Sequence, residues 1–243
     1  MLGDNPTAKP RSDQEGFLVH SIFRTIQGEG PYSGSPSLFV RFSGCNLHCS
    51  WCDTLFETGD PFKTAGDLAA KIIEAIPHTF YRIVFTGGEP LLQPLPSLIK
   101  ILAESGFNHK MDIETAGLAW PDGMDEVVQH VNIVCSPKVG RVLSPVQQNA
   151  KAWKYIIQED GVDPVDGLPN LNTQKHAKEF RVVNGGSTIF RPPRNTPHYN
   201  VFVQPCDELN EDKNERNLKT CIQSAMKFGY RLCIQTHKIA GLP

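Results

Sequence analysis

The chain repeats one pattern: a short β-branched or aromatic run, a polar motif marked by glycine or proline, then a helical stripe. "SLFVRFSGC", "RIVFTGGEP", "KMDIETAG", "NIVCSPK", "AWKYII" and "YNVFVQP" read as six successive strands, with "YRLCIQTH" as a last one. Between them "TAGDLAAKIIEAI" carries Leu68, Ile72, Ile73 and Ile76 on one stripe with Thr64 as cap. "LPSLIKILAESG" is a helix opened by proline and closed by Gly106, and "DGMDEVVQHV" a short helix. A long helix runs from Asn210 to Phe228 with Leu218, Cys221, Ile222 and Met226 as its apolar positions. Strands that alternate with helices restrict the chain to a parallel α/β sheet, wound open or closed into a barrel. Within "SLFVRFSGC", period-two alternation puts Leu38, Val40 and Phe42 on one face and Phe39 and Arg41 on the other.

At 243 residues the chain is long enough for one domain with a full core. Residues 1–16 read as a flexible N-terminal arm and 17–243 as a single catalytic domain. Within that domain, 158–198 is an irregular, proline-rich insert with one doubtful helix near "TQKHAKEF". A net charge of −2 gives no basic field for nucleic acid, and no apolar run reaches the length that crosses a bilayer. The polar opening "MLGDNPTAKPRSDQEG" lacks the apolar core of a signal peptide, so the expected location is cytoplasmic, with reduced thiols.

The polar motifs fall in one place. "GCNLHCSWCDT", "TGGEP", "ETAG", "SPK" and "QPCD" each follow a strand. Parallel α/β folds bind ligands at the carboxyl ends of their strands, so five motifs are expected to converge on one mouth.

Four of the seven cysteines have ordinary readings: Cys135, Cys221 and Cys233 as small buried hydrophobes, and Cys206 as a structural residue after a strand. Cys45, Cys49 and Cys52 are different, spaced C-x3-C-x2-C on a tight loop. A structural zinc site with His48 as fourth ligand is one reading, though no second C-x-x-C exists to supply the usual separate knuckle. The other is an iron–sulfur cluster, normally held by four thiolates, here with one iron left open.

The three cysteines after the first parallel strand resemble the signature of the radical S-adenosylmethionine superfamily. The resemblance implies a partial or distorted (β/α)6-type barrel of parallel strands with helices outside, a [4Fe-4S] cluster on Cys45, Cys49 and Cys52, and S-adenosylmethionine chelating the open iron. No protein side chain is then the catalyst; the 5′-deoxyadenosyl radical abstracts the substrate hydrogen. By the same resemblance Gly88 and Glu89 border the methionine amino group and Glu114 meets the ribose. Ser136, Pro137 and Lys138, with Gln204, Pro205, Cys206 and Asp207, are further contacts to S-adenosylmethionine.

"TIQGEGPYSG", "FVRFSGCNLHCSWCDT", "VFTGGEP", "DIETAG", "VCSPK" and "RLCIQTHKIAGLP" together resemble the 7-carboxy-7-deazaguanine synthase family. That resemblance implies a carbon–nitrogen lyase of queuosine biosynthesis. It turns 6-carboxy-5,6,7,8-tetrahydropterin into 7-carboxy-7-deazaguanine by hydrogen abstraction at C6, ring contraction and loss of ammonia. It implies Mg²⁺ on Thr54, and substrate contacts from Ile26, Gln27, Gly28, Arg41, Thr86 and Pro243, with Glu29 able to join them. An electron donor such as flavodoxin or ferredoxin and a homodimer are implied as partners. Arg41 has its own physical argument: a guanidinium mid-strand among apolar residues needs an anion, and the substrate's carboxylate supplies one. A glycyl-radical-enzyme activase shares the cysteine spacing and remains an alternative, as does a zinc-stabilised binding module.

Overall fold

The computed structural model describes residues 16–52, 54–78, 80–170, 173 and 189–243. The arm, all but one residue of it, lies outside them, as does most of the doubtful helix near "TQKHAKEF".

The described residues form one nine-stranded sheet: β1 (Phe17–Ile26), β2 (Pro36–Phe42), β3 (Asp60–Phe62), β4 (Arg82–Gly87), β5 (Met111–Thr115), β6 (Val131–Cys135), β7 (Ala150–Ile157), β8 (Val201–Pro205) and β9 (Arg231–Leu232). Its spatial order is β3-β1-β2-β4-β5-β6-β7-β8-β9. The run from β2 through β9 is parallel, while β1 is antiparallel to both β2 and β3. The sheet is open, with β3 and β9 at its edges.

Helices α1 (Ala65–Ala75), α2 (Leu95–Leu102), α3 (Ser144–Asn149), α4 (Glu211–Phe228) and α5 (Thr236–Ile239) complete the architecture. Thr64 caps α1 as its sequence position suggested, accepting from the Asp67 amide at 3.1 Å, and Asn210 does the same for α4 from Lys213 at 3.0 Å.

Alternation divides each strand between two environments. Leu38, Val40 and Phe42 on β2 join Ile83 and Phe85 on β4 and Tyr155 on β7 in the main core, all fully buried. The intervening residues face the concave side, where Val134, Ala152, Phe202 and Cys233 form a separate buried floor. Polar residues that would be intolerable in the main core can therefore occupy every second position.

Several local expectations are corrected. "DGMDEVVQHV" is two separate three-residue 3-10 turns, Met124–Glu126 and Val128–His130, because Val127 between them adopts a non-helical φ of −125°. "YRLCIQTH" is a strand only at Arg231–Leu232; the chain then bends inward and re-forms as α5. Ile73 is exposed although it was assigned to the buried stripe of α1. On α4, Met226 is 82% exposed and Ile222 is also at the surface, whereas Asn217 and Ser224 are buried beside Cys221. The reason is hydrogen bonding. Asn217 Nδ2 donates to the Cys206 carbonyl at 2.9 Å, its Oδ1 accepts from the Glu159 amide at 2.9 Å, and Ser224 Oγ donates to the Gly167 carbonyl at 2.6 Å. The helix covers irregular backbone whose polar groups need partners, and apolar side chains cannot provide them.

Among the described residues no helix is long and apolar enough to cross a membrane.

Candidate active site

The strand ends and the concave face enclose a cavity of about 520 Å³. Cys45, Cys49 and Cys52 line one part of it, beside Leu47 and Phe56. The loop that carries them rests on the turn after β4: the amides of Gly88 and Glu89 donate to the carbonyls of Phe42 and Gly44 at 3.1 and 2.9 Å. A Cβ on Gly88 would lie 2.0 Å from the Gly44 oxygen, so glycine is required there for close approach.

The three thiols of the cysteine loop share one cavity wall. Burial pushes the Cys45 thiol up to about 12, and Glu89 and the neighbouring cysteines add to it. A buried thiol such as that of Cys45 is stable as a thiolate when cationic metal atoms neutralise it. Soft sulfur donors, an apolar surround and three ligands from one loop fit an iron–sulfur cluster with one open corner.

Glu89 is not on the cavity wall. Its carboxylate is buried, accepting from Thr115 Oγ1 at 2.7 Å, the Ala116 amide at 2.9 Å and the Leu91 amide at 3.1 Å, while burial raises its pKa against those hydrogen bonds. It braces the end of β4 against the end of β5. Gly88, Glu114, Ser136 and Lys138 do line the cavity, as do Gln204, Pro205 and Asp207; Pro137 and Cys206 do not, and Cys206 is 2% exposed. Lys138 Nζ donates to the Ser136 carbonyl at 2.9 Å and to its hydroxyl, and lies 5.5 Å from the centre of the Trp51 ring.

Of the residues assigned to substrate, Gln27, Arg41, Thr86 and Pro243 line the same cavity; Ile26 and Gly28 stand behind it. The parallel register sets Arg41 beside Thr86, and Thr86 Oγ1 donates to Glu114 Oε2 at 3.2 Å. Gln27 Nε2 donates to the other oxygen of Glu114 at 3.1 Å. The Arg41 guanidinium packs 5.1 Å over the Phe23 ring, which limits its conformations. Thr54, two residues after the third cysteine of the loop, lines the wall.

The tail closes one side. Thr236 N donates to the Gly28 carbonyl at 3.2 Å, Lys238 Nζ to Asp207 at 2.6 Å, and Thr25 Oγ1 to a Pro243 oxygen at 3.0 Å. A side chain on Gly28 would meet the His237 ring at 1.9 Å, so this glycine makes room for the tail.

Lys154, His237 and Gln235 are cavity residues that the sequence reading assigned no role. For Lys154 a signal existed: one lysine inside the apolar run "AWKYII", at the same parity as the concave face. Cys233, read as a packed hydrophobe, also accepts from the Gly30 amide at 3.1 Å and donates to Gln204 Oε1 at 3.3 Å.

Comparison with known proteins adds three findings. A family model described as the radical SAM superfamily matches residues 39–134. A 7-carboxy-7-deazaguanine synthase of Rhodospirillum rubrum is 41% identical over 246 residues, covering 98% of each chain; another, of Rickettsia prowazekii, is 34% identical over 253 residues, covering 100% of this chain and 96% of its own. The crystal structure of QueE from Escherichia coli shares the fold with a TM-score of 0.62 at 21% identity, covering 92% of this chain and 96% of its own.

Proposed function

This chain belongs to the 7-carboxy-7-deazaguanine synthase family, within the radical S-adenosylmethionine superfamily, and we propose how its residues divide the work of that reaction. It is an enzyme that converts 6-carboxy-5,6,7,8-tetrahydropterin into 7-carboxy-7-deazaguanine with loss of ammonia, on the route to queuosine. When bound, the [4Fe-4S] cluster and S-adenosylmethionine supply a 5′-deoxyadenosyl radical that takes the hydrogen from C6 of the substrate.

The protein binds, orients and encloses. Cys45, Cys49 and Cys52 would hold the cluster, supplying three of the four thiolates such a cluster normally takes. Gly88, Ser136, Lys138, Gln204, Pro205 and Asp207 border S-adenosylmethionine, with Glu114 at its ribose; Glu89, Pro137 and Cys206 support them from behind. Arg41 receives the substrate carboxylate, Gln27 and Thr86 meet the pterin, and Ile26 and Gly28 shape the backbone there. Pro243 closes the wall, and Thr54, with oxygens of the substrate, holds Mg²⁺. The residues from 17 onward act as one catalytic unit. The reductant is of the flavodoxin or ferredoxin type, and two copies associate as a homodimer in the cytoplasm.

The observation that carries this reading is one cavity walled by the three cysteines, by Gln27 and Arg41, and by the docked tail at Pro243. A tail folded across the wall suits a small substrate and leaves little room for the protein loop that a glycyl-radical activase must admit. The test is anaerobic reconstitution with iron and sulfide, then incubation with the tetrahydropterin, dithionite and S-adenosylmethionine. The expected product is 7-carboxy-7-deazaguanine, with S-adenosylmethionine recovered intact. A reconstituted, reducible enzyme that leaves the pterin unchanged overturns the reading.

A further inference from the structure

Lys154 projects from β7 into the concave side and is 7% exposed, an environment that an unpaired ammonium cannot tolerate. Its Nζ pairs with Glu29 Oε2, on the turn after β1. The other carboxylate oxygen of Glu29 accepts from Gln235 Nε2 at 2.7 Å and from Gln204 Nε2 at 3.2 Å. Donors from β7, β8 and the tail, which are far apart in sequence, thus converge on one acid. Both Lys154 and Glu29 line the cavity.

We propose that Lys154 is a positioning residue, which together with Gln204 and Gln235 fixes the Glu29 carboxylate as an acceptor for the donor edge of the pterin. This rests on the functional reading above and adds a residue to it. The chemistry matches: Lys154, Gln235 and Gln204 occupy three of the carboxylate's four acceptor sites and leave one on Oε2, which can accept an N–H from the pterin's 2-amino and N3–H edge. Burial alone would push the Glu29 carboxyl up, but Lys154 and the hydrogen bonds outweigh it and hold it well below the usual range. Lys154 also has Glu114 for an electrostatic neighbour, and its own pKa is raised by these acids despite burial. It therefore neutralises cavity carboxylates that would otherwise repel a substrate bearing a carboxylate of its own.

The test compares Lys154→Met, Lys154→Arg, Glu29→Gln and the double variant Glu29→Gln/Lys154→Met with the wild type, all reconstituted with cluster. The probe is 6-carboxypterin, the stable oxidised analogue, followed by its fluorescence. Lys154→Met is expected to weaken binding about 10- to 100-fold and to raise KM for the tetrahydropterin more than it lowers kcat. Iron content and S-adenosylmethionine binding stay at wild-type levels. Lys154→Arg recovers most of the affinity, and the double variant binds no more weakly than Glu29→Gln alone. If Lys154→Met does not load cluster, the double variant, which removes the Glu29 charge together with that of Lys154, decides the matter against Glu29→Gln. An affinity for Lys154→Met within twofold of wild type, or losses that add in the double variant, overturns the inference. An active wild type with such a result overturns this inference alone; an inactive, fully reconstituted wild type overturns the functional reading and this inference with it.

Discussion

The backbone amide of Glu89 donates to the carbonyl of Gly44 at 2.9 Å, and this bond ties the turn after β4 to the first residue of the cysteine loop. The approach is possible because Gly88 has no side chain: its Cβ would lie 2.0 Å from the Gly44 oxygen and 3.1 Å from Cys45 Cβ. Gly88→Ala is therefore expected to cost about 1–3 kcal/mol and to push the loop off its support. Iron per chain after reconstitution, with the absorbance near ~400 nm, should fall well below wild type. Full cluster loading in the variant would show that the loop does not depend on this wall.

The cysteines separate by environment. Cys49→Ala should abolish the cluster and turnover together, because two thiolates from one loop do not retain the cube. Cys221, fully buried on α4 and away from the cavity, should give an alanine variant with normal iron content and activity and a loss of only about 1 kcal/mol in unfolding free energy. Iron analysis and denaturant titration check both.

Thr25 Oγ1 donates to a Pro243 oxygen at 3.0 Å, which makes β1 the anchor of the tail. Thr25→Val keeps the volume and removes the donor. The expected result is a rise in KM for the tetrahydropterin of about 2- to 10-fold, the worth of one hydrogen bond, with unchanged iron content. An unaltered KM would mean that Lys238–Asp207 and Thr236–Gly28 suffice to hold the tail.

Arg82 makes two bonds to the Asp112 carboxylate, at 2.6 and 2.5 Å, while its guanidinium lies 3.6 Å from the centre of the Tyr32 ring. The arrangement pins the turn that follows Gln27 and Glu29. Asp112 is 1% exposed, so Arg82→Met strands a buried acid and should destabilise the fold by about 3–5 kcal/mol. Adding Asp112→Leu should recover most of that loss. Chemical denaturation of the wild type and both variants measures it, and a double variant no better than the single one would refute the pairing argument.

Thr54 lines the cavity beside the cysteine loop and offers a hydroxyl to a hard cation. If Thr54 holds Mg²⁺ as proposed, wild-type turnover should rise with added Mg²⁺, and Thr54→Val should abolish that rise while leaving the cluster spectrum intact. A Mg²⁺ response equal to wild type would remove Thr54 from that role.

The alternation of strands and helices, the cysteine spacing and the motifs after each strand are local features. They settled the parallel sheet, the thiol-bearing loop and the convergence of strand ends without any knowledge of packing. Period-two alternation likewise placed Arg41 opposite Leu38, Val40 and Phe42, because in a strand the face follows from parity alone.

What parity could not give is which side-chain partners meet across the sheet. The polar face of α4 was missed because its need for Asn217 and Ser224 arises from the carbonyls of irregular loops distant in sequence. The motif "TGGEP" likewise gives no sign that the Glu89 carboxylate bonds to the turn around Leu91 and to the end of β5. The place of Lys154 in the apolar run "AWKYII" marks it as unusual but names no partner; only folding brings Glu29 beside it, 125 positions away, with Gln235 from the tail. Local sequence determined the elements and the chemistry available at their ends, because those follow from backbone geometry and spacing. Tertiary structure alone decided which charges and donors share one cavity, because that depends on contacts between segments that carry no sequence signature of each other.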